Sequence, residues 1–164
     1  MPKVKKSALY SFAVQRVRAE DCESAWQIIE EYYEAAHVIA RDAKDDFARV
    51  YFQDGAGVWL ATVGKDVVGC IALRPLVSIP CSGEVKRLYV QPRHRGRGIA
   101  AALYEALELG ARQHGYEFLY LDTTDEMIAA QRFYEALGYE PSPRYNDNPQ
   151  ATIFMKKDLR HFSS

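Results

Sequence analysis

Between Val85 and Ala100 the chain reads Val-Lys-Arg-Leu-Tyr-Val-Gln-Pro-Arg-His-Arg-Gly-Arg-Gly-Ile-Ala, and no other stretch constrains the fold as much. Glu84 to Val90 is a strand bounded by Ser82-Gly83 and Pro92. Three arginines and two glycines follow, and they open directly into a helix. From Gly96 to His114 that helix carries Ile99, Leu103, Ala106, Leu107 and Gly110 on one face, with Gly115 as its stop. Tyr116 to Asp122, with Leu119 and Leu121, is the next strand.

The remaining segments fall into place around this unit. Alternation from Phe12 to Val17 predicts a first strand. Asp21 then caps a helix whose buried stripe is Trp26, Ile29, Tyr33 and Ala36. Phe47, Val50 and Tyr51 mark a short second helix ending near Gly55. Val58 to Val63 and Val67 to Leu76 flank Gly64-Lys65-Asp66 as a hairpin, with Pro75 and Pro80 confining its end to an edge or bend. Thr123 and Glu126 have capping-box spacing for a helix through Leu137, closed by Gly138. Asn146 to Pro149 is a turn and Ala151 to Met155 a last strand. The order is β-α-α-β-β-β-α-β-α-β, an α/β arrangement without repeats or linkers. It is read as one domain over 12–160, with an N-terminal extension (1–11) and a tail (161–164).

A chain of 164 residues with net charge −1 is large enough to bury a core, and it lacks the overall positive charge that favours nucleic acid or membrane surfaces. Cys22, Cys70 and Cys81 are odd in number and form no metal-ligand spacing, so neither a disulfide framework nor a metal site is expected. Reduced thiols, no apolar run of spanning length and no leader pattern after Met1–Lys6 point to a cytoplasmic protein.

The basic loop suits a pyrophosphate. Free N–H groups of the first helical turn and the helix dipole meet there, Gly96 and Gly98 hold no side chain against a ligand, and Arg93, Arg95 and Arg97 add charge. Three readings compete: a plain strand-to-helix turn, a dinucleotide site through Gly96-x-Gly98-x-x-Ala101 with Asp122 on a ribose, and a coenzyme A site. The turn between Val90 and Gly96 is too long for the dinucleotide motif, and too little chain follows to build two mononucleotide halves.

Arg93-x-x-Gly96-x-Gly98 after Leu88-Tyr89-Val90 resembles the acyl-CoA signature Q/R-x-x-G-x-G/A of the GNAT superfamily. Ala130-Gln131-Arg132-Phe133-Tyr134-Glu135-Ala136-Leu137-Gly138-Tyr139 is similar to the family's A-x-x-x-Y-x-x-x-G-F/Y segment. Many members have Asn where this chain has Met127. The resemblance covers nearly the whole chain and implies a central mixed, mostly antiparallel sheet flanked by helices. It implies acetyl-CoA as co-substrate without a metal, and a pantetheine arm along Leu88, Tyr89 and Val90. The pyrophosphate would be held by Arg93, His94, Arg95, Gly96, Arg97, Gly98, Ile99 and Ala100.

The implied reaction is N-acetylation of a small-molecule or peptide amine by direct attack in a ternary complex. An alkyl amine with a pKa of about 10.4 needs help to lose its proton near neutrality. Glu84 is the first candidate base, four residues before Leu88 and so on the same face of an ideal strand, with Asp122 in reserve. Tyr134 would protonate the leaving thiolate, and the N–H of Leu88 would meet the oxyanion. Tyr32, Tyr33, Trp59, Arg74, Tyr120 and Tyr145 are available to an acceptor site, but each is read first as a core or rim residue, and Arg74 facing the cleft would suit an acidic or carboxylated acceptor. A non-catalytic CoA-binding or dinucleotide-binding protein is the alternative. A homodimer is an assembly open to the family.

Overall fold

A computed structural model describes residues 10–160. Most of the expected N-terminal extension (1–9) and the tail (161–164) lie outside the described residues.

Among the described residues seven strands form one sheet in the order β1-β2-β3-β4-β5-β7-β6. They are β1 (Ala13–Arg16), β2 (Gly57–Val63), β3 (Asp66–Pro75), β4 (Ser82–Val90), β5 (Phe118–Thr123), β6 (Glu140–Pro141) and β7 (Ile153–Asp158). Neighbours run antiparallel except β4 and β5, which are parallel and joined by α3 (Ile99–His114). The mixed, mostly antiparallel sheet is therefore the expected one. The hairpin turns on Gly64-Lys65, with Val63 paired to Asp66 and Gly64 at φ +59°, a backbone conformation glycine adopts without a Cβ penalty.

Alternate side chains feed two separate cores. Trp59, Ala61, Ile71, Leu73 and Val85 pack with Ile99, Leu103 and Leu107 of α3. Val58, Leu60, Cys70, Ala72 and Tyr89 pack on the other face with α1 (Cys22–Ala35) and α2 (Lys44–Tyr51). Period-2 alternation through two buried faces is what fastens the register here, because a one-residue slip would exchange the two cores. Trp59 lies so close to α3 that a Cβ on Gly110 would sit 2.7 Å from its ring.

Several element ends differ from the sequence reading. In α1 the buried residues are Ala25, Ile28, Ile29 and Tyr33. Trp26 is half-buried, Ala36 lies past the helix end, and Asp21 closes a 3-10 turn without a side-chain capping bond. The expected capping box at Thr123 and Glu126 does not form. Thr123 is held in β5 by pairing with Ile153, and α4 begins later, at Ile128–Ala136. Pairing with β5 likewise moves the last strand to Ile153–Asp158.

Candidate active site

β4 and β5 are paired only over Ser82–Glu84 against Phe118–Tyr120. Past Glu84, β4 has a partner on the β3 side alone, and its other edge presents unpaired backbone N–H and C=O groups. A cleft of about 950 Å³ occupies this parting, walled by Val85–Val90, the loop into α3, the end of β5 and the Tyr134 side of α4.

On its β3 side β4 carries a bulge. Tyr89 pairs with Cys70 and Lys86 with Ala72, so β4 uses one residue more than β3 between these points. Arg87 takes up the extra length at φ +60°, and its carbonyl accepts a hydrogen bond from Cys70 Sγ at 3.1 Å. The bulge reverses the facing of the strand. Val85 and Leu88 both pack on the α3 side, whereas Arg87 lies over Tyr33, its guanidinium 4.9 Å from the ring centroid. The expectation that Glu84 shares a face with Leu88 is corrected by this extra residue. Lys86-Arg87, two charges in succession inside an alternating strand, was the signal in the sequence.

The glycine loop is built by backbone geometry. Pro92–His94 form a 3-10 turn, Gly96 and Gly98 lie at φ +76° and +84°, and Gly98 is the N-cap of α3. No protein atom comes within 4 Å of where a Cβ would stand on either glycine, so the backbone is open to a ligand. No acidic residue occupies the first turn of α3. Leu88, Tyr89, Val90, His94, Arg95, Gly96, Gly98, Ile99 and Ala100 line the cleft, whereas Arg93 and Arg97 do not. Arg95 Nε donates to Val90 O at 2.9 Å, and Arg97 stacks over Tyr10, whose hydroxyl is 2.9 Å from His94 Nδ1.

Beside the parting, two carboxylates and two cations form one network. Glu84, 1% exposed, accepts from Arg74 Nε at 2.9 Å through Oε1, and from Tyr145 Oη at 2.6 Å and Asn146 Nδ2 at 3.2 Å through Oε2. Asp122 Oδ2 accepts from Asn146 Nδ2 at 2.6 Å, Lys86 Nζ at 3.2 Å and Asn148 Nδ2 at 3.3 Å. Lys86 also stands 3.4 Å from Glu84 Oε2, so both carboxylates share one ammonium and one amide. Asp122 lines the cleft and Glu84 does not. Arg74 is engaged by Glu84 and is absent from the cleft wall, so the expectation that it faces an acceptor is corrected. Asn146, Asn148 and Gln150 were not anticipated as site residues. They come from the loop before β7, too far along the chain for any local pattern to flag them.

Burial pushes the Asp122 carboxyl up, but Lys86 and the two asparagine amides outweigh it and hold the group below its usual value. A depressed pKa stabilises the fold above the unfolded value of about 3.9, and that stability is lost as pH falls through the lower folded value. Wild type and Asp122→Asn should therefore differ in melting temperature near neutrality and converge as pH is lowered below the ordinary carboxylate range. A gap that stays constant with pH would mean that the ionic contacts contribute nothing.

Tyr134 lines the cleft from α4, with its ring edge-on to Tyr104 and Tyr139. Burial, with Tyr32 and Asp122 adding to it, drives its phenol well above 10, so it carries its proton throughout the physiological range.

A sequence model described as the Acetyltransferase (GNAT) family matches residues 22–139, from α1 through the glycine loop to Tyr139. The chain belongs to the GNAT acetyltransferase family. N-acetyltransferase 8B of Rattus norvegicus is 33% identical over 104 residues, covering 61% of this chain and 47% of its own length. An uncharacterized N-acetyltransferase of Schizosaccharomyces pombe is 26% identical over 147 residues, covering 85% and 90%. This GNAT chain thus spans about half the length of the rat relative.

Solved structures agree on the fold. A GNAT-family acetyltransferase from Staphylococcus aureus superposes with TM-score 0.77 at 20% identity, over 92% of this chain and 100% of that one. The PaiA N-acetyltransferase of Thermoplasma acidophilum, solved in complex with coenzyme A, gives 0.66 at 16% identity, over 91% and 99%. In the GNAT fold seen here, β4-α3-β5 is the one parallel unit among the described residues. A dinucleotide reading of Gly96-x-Gly98-x-x-Ala101 would require a second. Met127, where many GNAT members have Asn, lines the cleft just before α4 without a side-chain capping bond.

Proposed function

We propose that this GNAT chain is an acetyl-CoA-dependent N-acetyltransferase, carried by one domain over 12–160, that acetylates a primary amine by direct attack in a ternary complex. The parting of β4 from β5 after Glu84 carries the reading. An open strand edge that leads from a phosphate-ready helix N-terminus to a protonated phenol and a carboxylate suits a thioester on a long polar arm. The arm pairs along Leu88, Tyr89 and Val90. The pyrophosphate takes the N–H groups from Gly96 to Ala100, with Arg95 and His94 beside it and Arg93 and Arg97 supplying longer-range charge.

The amine nitrogen attacks the thioester carbon while the N–H of Leu88 receives the developing oxyanion. Leu88 has no partner on β3, because the bulge carries it out of the ladder. One such donor is worth about 3 kcal/mol in a transition state. The ammonium proton passes to Asp122, directly or through a water. Glu84 acts one step behind as a positioning residue, by fixing Lys86 and Asn146 against Asp122. As the C–S bond breaks, Tyr134 gives its proton to sulfur, and the products are the N-acetyl amine and CoA thiol. The free thiols of Cys22, Cys70 and Cys81 support a cytoplasmic setting. No helix among the described residues is long and apolar enough to cross a membrane.

Calorimetric titration with acetyl-CoA, with NADH as control ligand, tests the reading. Saturable binding of acetyl-CoA alone is expected, and binding of NADH alone or of neither would overturn it. Tyr134→Phe should lower kcat about tenfold with acetyl-CoA affinity nearly unchanged, since a thiol of pKa about 8.5 leaves well even without a proton donor. Single-turnover rates equal to wild type would return Tyr134 to a packing role.

A further inference from the structure

The end of the cleft beyond the bulge carries one cation that the network around Glu84 does not absorb. Arg87 lines the cleft, and its guanidinium donates from Nη2 to Asp42 Oδ2 at 3.2 Å and bonds the hydroxyl of Tyr32. Its Nε–H is buried and has no hydrogen-bond partner. A guanidinium has five N–H donors in a planar fork, and a buried donor left without an acceptor is destabilising. Asp42 cannot satisfy it alone, because the same Oδ2 also accepts from the Tyr33 hydroxyl at 3.1 Å. The aromatic faces of Tyr33 and Tyr32, at 4.9 and 5.9 Å, hold the guanidinium in place and leave its Nε–H without an acceptor.

Asp122 lines the same cleft, so an anion and a cation stand in one pocket. Tyr32 registers both. Burial pushes its phenol up, the Arg87 charge pulls it back, and Asp122 adds to the rise. The pocket is also bounded. Gln150 accepts from Ile39 N–H at 2.9 Å and donates to His37 O at 3.1 Å, tying the loop after α1 to the loop before β7. His37 and Gln150 both belong to the wall.

We infer that the acceptor is a small zwitterionic amino carboxylate, whose ammonium is taken by Asp122 and whose carboxylate is taken by Arg87. The inference rests on the acetyl-transfer reading and gives its acceptor a chemical class. Arg87 is then a specificity residue. Planar, bidentate recognition of a carboxylate is what its fork offers and a lysine does not. The Gln150 clasp favours a free molecule over an amine at the end of a long folded chain.

The test measures CoA thiol release at saturating acetyl-CoA with the common L-α-amino acids, each paired with its carboxamide, which keeps the amine and removes the negative charge. At least one amino acid should exceed its carboxamide by about 100-fold in kcat/KM, since a site built to bond a polar group strongly rejects the analogue lacking it. Arg87→Gln should bring that pair to within about threefold, mainly by raising KM for the acid, with acetyl-CoA affinity unchanged by calorimetry. Carboxamides used as well as the acids, no acid accepted, or a preference that survives in a folded Arg87→Gln variant would each overturn the inference. The wild-type comparison decides the matter even if the variant fails to fold. Failure of acetyl-CoA itself to bind would be seen separately in the titration and would remove the acetyl-transfer reading together with this one.

Discussion

Gly98→Trp should abolish measurable acetyl-CoA binding, raising Kd by more than about 100-fold, about 2.7 kcal/mol, while the protein still folds. Gly98 stands at φ +84° where it caps α3, and nothing in the protein lies within 4 Å of a Cβ built there. A side chain starting there leaves the backbone into open space beside the N–H groups proposed to hold phosphate, so its bulk competes with the ligand before it strains the core. The fold bears only the left-handed backbone of a non-glycine residue, about 1–2 kcal/mol, or a few degrees in melting temperature for a chain of this size. Circular dichroism and calorimetry on the same sample separate the two effects. Unchanged affinity would remove the phosphate assignment from this loop.

The second large effect separates the two carboxylates. Asp122→Asn should lower kcat/KM by about 100-fold or more at neutral pH and recover as pH rises toward the pKa of the amine, where the nucleophile deprotonates unaided. Glu84→Gln should lower the rate by less than about tenfold but cost more stability, about 2 kcal/mol. It removes the charge facing Arg74 and Lys86 inside the protein, a penalty tempered by the partial exposure of Arg74. Melting temperatures and pH–rate profiles of the two variants read this split directly. A reversed ranking in rate would assign the base to Glu84.

How far the site was legible follows from how local each signal is. The loop from Gln91 to Gly98 announces itself because glycine at positive φ, proline after a strand and arginines at a helix N-terminus are all local requirements. Tyr134 was found by its spacing to Gly138, and Gly138 indeed lies at φ +95° just past α4. The bulge at Arg87 was missed because its one mark, two successive charges at Lys86-Arg87 in an alternating strand, reads equally as a solvated pair, and an ideal strand predicts the wrong face for everything beyond it. Tyr145, Asn146 and Asn148 bond to side chains 61, 62 and 26 residues away in the chain. Only the pairing of β5 with β7 brings that loop over Asp122. The same pairing overrode the expected capping box at Thr123, a case of tertiary contacts deciding against local preference.

The short run of pairing between β4 and β5 has a thermodynamic consequence. Three residue pairs, Ser82–Glu84 with Phe118–Tyr120, join a half-sheet of β1–β4 to one of β5–β7. An extended ligand bonded along the vacant edge would act as a splint across that seam, so ligation and folding become linked equilibria. At a free ligand concentration 100 times Kd, the linkage adds about 2.7 kcal/mol to the folded state. Those amides of Val85–Val90 that face the open edge, not the ones bonded to β3, should then exchange quickly in the bare protein and slow when the splint is in place. The survival of the protein in the presence of a protease becomes a readout of how much ligand its surroundings hold.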